Sequence, residues 1–127
     1  MSDVSIRYII DDVPVAVRFY TTLLGFSVEH DASPAFASVV RDGVRLLLSG
    51  DGSSGKRALP DGRTQEPGGW NRINLEVADL AAETERLRAA GVSFRTDDIV
   101  TGPGGSQIII EDPSGNPIEL FQPRKRA

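Results

Sequence analysis

Residues 111–120 read Glu-Asp-Pro-Ser-Gly-Asn-Pro-Ile-Glu-Leu, in which a run of turn-forming residues separates two apolar segments. Asp, Pro, Ser, Gly and Asn each favour tight turns through their own backbone or side-chain constraints. The flanking segments, Gln107–Glu111 and Pro117–Phe121, are short and contain β-branched or aromatic residues, which is typical of strands. We therefore predict two strands joined by this turn, with another strand over Val92–Arg95 before them.

A strand and a helix are predicted upstream of this turn. Arg72–Val77 alternates between polar and apolar residues, which indicates a strand. Asp79 can cap a helix that follows, and Gly91 can end that helix in a left-handed conformation. One stripe of the helix contains Leu80, Thr84, Leu87 and Gly91.

The first half of the chain shows the same order of elements. Ser5–Ile10 alternates as a strand, Asp12 can cap a helix with Pro14 in its first turn, and Gly25 can end it. The apolar stripe of that helix contains Val13, Val17, Tyr20 and Leu24. Three strands are predicted after it, the last two joined by a tight turn at Asp42-Gly43: Phe26–Glu29, Phe36–Val40 and Val44–Ser49.

The two halves therefore repeat one another, with Asp12 aligned to Asp79 and Gly25 to Gly91. This repeat predicts an α+β fold of two βαβββ modules within a single domain, residues 1–127. Module one covers about residues 4–50, module two about 70–123, and a basic tail 124–127. The stretch 51–69 lacks periodicity, so it is either a surface linker or a flap over a ligand site.

Composition excludes several classes of function. The chain has 14 Lys and Arg against 18 Asp and Glu, a net charge of −4, which does not favour nucleic-acid binding. It has no cysteine, which excludes disulfides and thiolate chemistry. No apolar run approaches the length of a membrane span, and no secretion signal is expected. We expect a cytoplasmic protein without nucleic-acid or membrane partners.

The turn at 111–120 and two further motifs resemble the vicinal oxygen chelate superfamily, also called glyoxalase/bleomycin resistance/dioxygenase proteins. The further motifs are Phe-Tyr-Thr-Thr-Leu-Leu-Gly-Phe at residues 19–26 and Leu-Arg-Ala-Ala-Gly-Val at residues 87–92. The resemblance covers about residues 5–123. It implies that each module curls its strands into half of an open barrel around a central cavity, and that two chains form a homodimer.

The resemblance also implies where metal-dependent relatives hold a metal. Those positions correspond here to Ser5, Leu47, Arg72 and Glu119, of which only Glu119 is a good metal ligand. The one histidine, His30, matches none of these positions and is expected at the surface just after the second strand. We therefore expect no metal and no other cofactor, and we predict that Arg72 and Glu119 form an ion pair instead.

Residues on the polar side of the strands, together with nearby aromatic residues, are the candidates for contact with a ligand. They are Arg7, Phe36, Leu47, Trp70, Arg72, Asn74, Glu119 and Phe121. The Arg72–Glu119 pair is either structural or in contact with the ligand. Trp70 either stacks on a flat ligand or packs in a dimer interface or the core.

Two functions remain open at this stage. The first is a metal-free binding protein for a small organic molecule, as in the bleomycin-resistance branch of the family. The second is a glyoxalase-like lyase or isomerase, or a dioxygenase relative, in which Glu119 or Glu76 acts as acid or base. No catalytic residue can be assigned from the sequence.

Overall fold

The computed structural model describes residues 4–124, so most of the basic tail predicted at 124–127 lies outside the described residues. The chain divides into two compact units with the boundary between Gly68 and Gly69. Each unit combines one α-helix with a sheet, which confirms the α+β class. Within residues 4–124, no helix has the length and hydropathy needed to span a membrane. That all 127 residues form one domain stays a prediction.

The first unit has the predicted βαβββ order. Its elements are β1 (Ser5–Ile9), α1 (Val13–Leu23), β2 (Ser27–Ala32), β3 (Phe36–Arg41) and β4 (Val44–Ser49). The sheet order is β1-β4-β3-β2, in which β1 and β4 are parallel and the other pairs antiparallel. The turn predicted at Asp42-Gly43 joins β3 to β4, and Asp42 has a φ of 50°.

Helix α1 begins and ends as predicted. The Asp12 carboxylate accepts a hydrogen bond from the Val15 amide at 3.1 Å, and Gly25 follows the helix with a φ of 74°. The buried stripe differs from the prediction, because Ala16 and Phe19 are buried whereas Val17 is only half-buried. Tyr20 lies at the centre of the core and makes edge-to-face contacts with three other rings, Tyr8, Phe19 and Phe26.

The second unit repeats this order with one difference. Its elements are β5 (Ile73–Glu76), α2 (Leu80–Ala89), β6 (Ser93–Phe94), β7 (Val100–Gly102), β8 (Gly105–Glu111) and β9 (Pro117–Pro123). The sheet order is β5-β9-β8-β6, and β7 also pairs with β8. The prediction of a single strand over Val92–Arg95 was therefore incomplete. β6 lies within the predicted range, and β7 is an additional short strand that begins after the exposed Asp97-Asp98 pair, because Asp disfavours strand conformation.

Helix α2 is capped by Asp79 and ended by Gly91, in the same way that α1 is capped by Asp12 and ended by Gly25. The Asp79 carboxylate accepts from the Ala82 amide at 3.1 Å, and Gly91 has a φ of 81°. The predicted stripe is confirmed at its buried positions, Leu80, Thr84 and Leu87. The helix is also tied to the sheet, since the Gln122 side chain of β9 accepts from the Leu80 amide at 2.8 Å.

The turn between β8 and β9 is closed by one buried carboxylate. Asp112 is 3% exposed and accepts from the backbone amides of Ser114 and Asn116 and from the Asn116 side chain. The carboxylate thus satisfies amides that the turn leaves without partners, which explains how the polar residues Asp112 and Asn116 can be buried here. Gly115 has a φ of 90°, the left-handed region that favours glycine.

The first residues of the stretch predicted as linker or flap contact the first sheet. A single 3-10 turn over Ser54–Lys56 packs against β1 and β4 of the first unit. The Lys56 ammonium donates to the Ile10 carbonyl at 3.0 Å and lies 2.9 Å from the Asp51 carboxylate. Gly55 lies directly over the Arg7 side chain, since a Cβ at Gly55 would be 2.0 Å from the Arg7 Nη1 atom.

Candidate ligand-binding site

The polar side of the second sheet holds a three-residue cluster. Arg72 Nη2 lies 2.8 Å from Glu119 Oε1, and Nε donates to the same oxygen at 3.0 Å. Asn74 donates its side-chain amide to Glu119 Oε2 at 2.8 Å. The Glu119 side chain is only 12% exposed. The predicted ion pair is therefore confirmed, and both oxygens of Glu119 are engaged.

Trp70 lies close to this cluster and is held by a second arginine. It is 70% exposed, and the Arg95 guanidinium lies 4.6 Å from its ring centroid, within the range of a cation–π contact. Arg95 also pairs with Glu111 at 3.0 Å and donates to the carbonyls of Gly69 and Gly115. Arg72 donates to the Trp70 carbonyl at 3.1 Å. Arg95 and Arg72 thus hold the backbone carbonyls of Gly69 and Trp70. Because Trp70 is exposed, the prediction that it could pack in the core was wrong.

Phe121 completes the candidates of the second unit. It is half-buried and lies opposite Glu76 on β5 and Gln107 on β8. Strand alternation places it on the same side of the sheet as Glu119, two residues earlier in β9. The Phe121 ring therefore lies on the same side of the sheet as the polar cluster.

The candidates of the first unit share one side of its sheet. Arg7 on β1 pairs in register with Leu47 on β4, and Phe36 on β3 pairs with Ser49 on β4. The Arg7 guanidinium donates to the Ser49 hydroxyl at 2.8 Å beneath Gly55. Arg7 is thus part of the packing between the sheet and the 3-10 turn.

A polar network across the first sheet was missed by sequence reasoning. Glu29 accepts from Arg45 Nε and Nη2, both at 2.8 Å, and from the Ser38 hydroxyl at 3.0 Å. The hydrogen bond from Arg45, and after it that from Ser38, lowers the pKa of Glu29 below its usual range. The same pairing raises the pKa of Arg45. The alternation of β4 could have placed Arg45 on this side, but nothing local identified its partner on another strand.

His30 lies at the surface as predicted, although its assigned position was wrong. It belongs to β2 rather than to the residues after that strand, because β2 extends to Ala32. Its ring centroid lies 6.4 Å from that of Phe36. The strand was predicted too short because its residues, Ser-Val-Glu-His-Asp-Ala, are all exposed and lack a clear alternation.

The residues at the four metal positions do not fit a divalent metal. In the first unit, the Ser5 hydroxyl accepts from Arg45 at 3.3 Å, and Leu47 has no donor atom. In the second unit, the carboxylate of Glu119 forms an ion pair with Arg72. Among residues 4–124 there is no group of three or more His, Cys, Asp or Glu that could hold a metal ion. This donor set differs from the His, Cys and carboxylate sets that bind transition metals.

A family model of the Glyoxalase/Bleomycin resistance protein/Dioxygenase superfamily matches residues 4–120. The chain belongs to this superfamily. The glyoxalase superfamily is the group that the turn at 111–120 and the two other motifs resemble, so the predicted membership is confirmed. Among curated proteins, no sequence matches this chain.

Solved structures of the glyoxalase superfamily resemble this chain along almost its whole length. A superfamily member from Sphaerobacter thermophilus DSM 20745 is 28% identical with a TM-score of 0.75, covering 93% of this chain and 94% of that one. TnmS3, an antibiotic binding protein from Streptomyces sp. CB03234, is 27% identical with a TM-score of 0.73, covering 98% of each chain. Lactoylglutathione lyase from Agrobacterium tumefaciens is 21% identical with a TM-score of 0.73, covering 95% and 92%, which shows a shared fold alone.

Proposed function

We propose that this protein binds a small organic molecule without a metal, as a sequestering protein for an antibiotic or a comparable ligand. The observation that carries the proposal is the position of Arg72. Its guanidinium supplies to Glu119 the positive charge that a metal would supply, at 2.8 Å and inside the second unit. A carboxylate already paired with arginine and with Asn74 has little need of a cation from solution.

Trp70 supports the same proposal. One face of its ring lies against Arg95, and the side chain is 70% exposed. Its backbone is fixed by the hydrogen bonds from Arg95 to Gly69 and from Arg72 to Trp70. A rigid, exposed aromatic ring loses little conformational entropy when a flat ligand stacks on it. The antibiotic binding protein TnmS3, 27% identical over 98% of each chain, agrees with such a role.

Elemental analysis of protein purified without a metal-affinity tag tests the metal-free part of the proposal. We expect a divalent metal content far below one atom per chain. A stoichiometric metal that is lost in Glu119→Gln would overturn the proposal, because it would place Glu119 among the metal's ligands.

Ligand binding can be followed through Trp70, which is the only tryptophan of the chain. Bleomycin, the antibiotic in the superfamily's name, and a panel of flat aromatic antibiotics serve as probes. We expect a ligand of this kind to quench Trp70 emission and to bind at least about 10-fold more weakly to Trp70→Ala, as measured by calorimetry. Val100→Ala is the matched control, since Val100 is another exposed apolar residue of the second unit, 56% exposed.

The alternative function is a glyoxalase-like lyase or isomerase, and one residue favours it. Glu76 is exposed on β5 opposite Phe121, on the strand that also carries Asn74. A carboxylate accessible to solvent could act as a base, whereas Glu119 is held by Arg72 and Asn74. Formation of lactoylglutathione from glutathione and methylglyoxal, lost in Glu76→Gln but retained in Glu85→Gln, would establish this alternative in place of sequestration.

We also propose that the protein is a homodimer. The relevant features are β2, which is a terminal strand in the order of its sheet, and the exposed Trp70, because edge strands and exposed apolar groups are commonly covered by a second copy. Sedimentation at micromolar concentration is expected to give about twice the chain mass of 13.7 kDa. A single species of the chain mass would contradict the proposal.

A further inference from the structure

A polar groove lies in the second unit, at the end of its sheet where β7, β8 and β9 meet. It has a volume of about 370 Å³ and includes Thr101, Ser106, Gln122 and Arg124 in its lining. Ser106 on β8 pairs in register with both Thr101 on β7 and Gln122 on β9, so these three residues form one row across three strands.

This row belongs to the helix side of the sheet. Gln122 shares the alternation of the buried Leu120, and its side chain reaches the first amide of α2 at Leu80. Glu119 and Phe121 have the opposite alternation in the same strand. The side chains of Thr101, Ser106 and Gln122 therefore lie on the opposite side of the sheet from Glu119 and Phe121.

The groove presents hydrogen-bond donors. The hydroxyls of Thr101 and Ser106 lie 3.0 Å apart, so one hydrogen is shared between them and the other remains to donate outward. The Gln122 oxygen is occupied by the Leu80 amide, which leaves the side-chain NH₂ group as the end that can face a ligand. Arg124 adds a guanidinium, and its backbone amide is anchored to the Gly104 carbonyl at 2.9 Å.

Among residues 4–124, no carboxylate lines this groove, although the net charge of the chain is −4. Gly105 keeps the two strands close here, since a Cβ at that position would be 2.2 Å from the Gln122 carbonyl oxygen. This close approach brings the Ser106 hydroxyl beside Gln122. A set of hydroxyl, amide and guanidinium donors without a competing acid is suited to an oxyanion.

We infer that this groove binds the oxyanion group of a small molecule, a phosphoryl or a carboxylate group, at Thr101, Ser106, Gln122 and Arg124. The Gly-Pro-Gly-Gly stretch at 102–105 contributes the turn between β7 and β8, and the donors are side chains. The site is independent of the proposed function, because it uses none of the residues on the Trp70 and Glu119 side of the sheet.

Backbone amide NMR of the full chain tests this inference, with inorganic phosphate and acetate titrated separately at constant ionic strength. We expect saturable shifts at the amides of Gly105, Ser106 and Arg124 with at least one of the two anions. Ser106→Ala and Thr101→Val should each weaken that anion, and the larger loss, about 10-fold or more, should follow removal of the hydroxyl that donates outward, since its hydrogen bond is to a charged acceptor. Arg124→Gln should weaken it about 3-fold or more, as expected for an exposed charge. Arg18→Gln, an exposed arginine on α1, is the matched control and should leave the affinity unchanged.

Each outcome of the titrations decides the inference. Tighter binding of phosphate than of acetate assigns the groove to phosphoryl groups, and comparable binding of acetate assigns it to carboxylates. Shifts that do not saturate with either anion would overturn the inference. So would an affinity that is the same in Arg124→Gln and in Thr101→Val as in the wild type. The same spectra report whether each variant is folded, and Arg124→Gln changes only an exposed side chain.

Discussion

Two nitrogen atoms of Arg72 donate to one oxygen of Glu119, Nη2 at 2.8 Å and Nε at 3.0 Å. The Glu119 side chain is 12% exposed and that of Arg72 is 26% exposed, so the pair is partly removed from water. Removing one partner of such a pair leaves a charge without compensation, whereas removing both leaves none. The consequences of the two kinds of change should therefore differ.

Glu119→Gln should lower the free energy of unfolding by roughly 1–3 kcal/mol, because Arg72 loses its counter-charge. The double variant Arg72→Met with Glu119→Leu should come within about 1 kcal/mol of the wild type, since apolar replacements of similar size remove both charges. Urea denaturation measures both values.

Glu85→Gln is the control for this experiment, because Glu85 is an exposed residue of α2. We expect a change within about 0.5 kcal/mol for it. A double variant less stable than Glu119→Gln would contradict the interpretation of the pair as a stand-in for a metal and would point to a further role of the two charges in packing.

Arg95→Met should also destabilise the chain, by roughly 1–3 kcal/mol, because the guanidinium binds Glu111 and the carbonyls of Gly69 and Gly115. The matched control is Arg86→Met, since Arg86 pairs with Glu83 one turn away on the surface of α2. Exposed pairs of this type contribute about 0.5 kcal/mol or less. Thermal unfolding compares the two variants, and equal losses would show that Arg95 does not hold the Trp70 segment in place.

The sequence was sufficient to predict the elements that depend on local chemistry. Asp12 and Asp79 cap their helices, and Gly25 and Gly91 end them, because each of these roles follows from one residue and its neighbours. The Arg72–Glu119 pair was predicted from strand alternation together with the family resemblance.

The features that sequence reasoning missed depend on residues distant in the chain. The 3-10 turn at Ser54–Lys56 is held by the Lys56 bond to the Ile10 carbonyl, and its own sequence has no helical periodicity. The Glu29–Arg45 pair joins strands β2 and β4, which are not neighbours in the sheet. Such contacts require the register of each strand, which alternation alone leaves undetermined when all residues of a strand are exposed.

Gly105→Ala and Gly104→Ala should differ strongly although the residues are adjacent. Gly105 has a φ of 154°, and a Cβ there would lie 2.2 Å from the backbone oxygen of Gln122, which cannot move aside cheaply. We expect a loss of about 2–4 kcal/mol for Gly105→Ala. Gly104 has no atom within 4 Å of the added Cβ, so Gly104→Ala should be within about 0.5 kcal/mol of the wild type. Equal stability of the two variants in urea denaturation would mean that β8 and β9 lie farther apart than the structure places them.

The last prediction concerns the acid side of the stability profile. Hydrogen bonds from Arg45, and then from Ser38, place the pKa of Glu29 in the folded chain below its unfolded value. As pH falls, the unfolded chain therefore takes up this proton first. The stabilisation from Glu29 is present above the unfolded pKa and is lost as pH falls through the folded pKa. Glu29→Gln should thus flatten the decline of stability in acid.

Arg45→Gln should flatten the same part of the profile, because it removes the larger of the two causes while it leaves the carboxylate in place. Some decline should persist in both variants, since hydrogen bonds from Ser33 also lower the pKa of Asp31. Unfolding by urea at a series of pH values gives the slope for each variant, and the slope is the readout because either change can also shift stability uniformly. If Glu29→Gln flattened the profile and Arg45→Gln left the wild-type slope, the lowered pKa of Glu29 would have to come from Ser38, and the assignment of Arg45 as its main cause would be wrong.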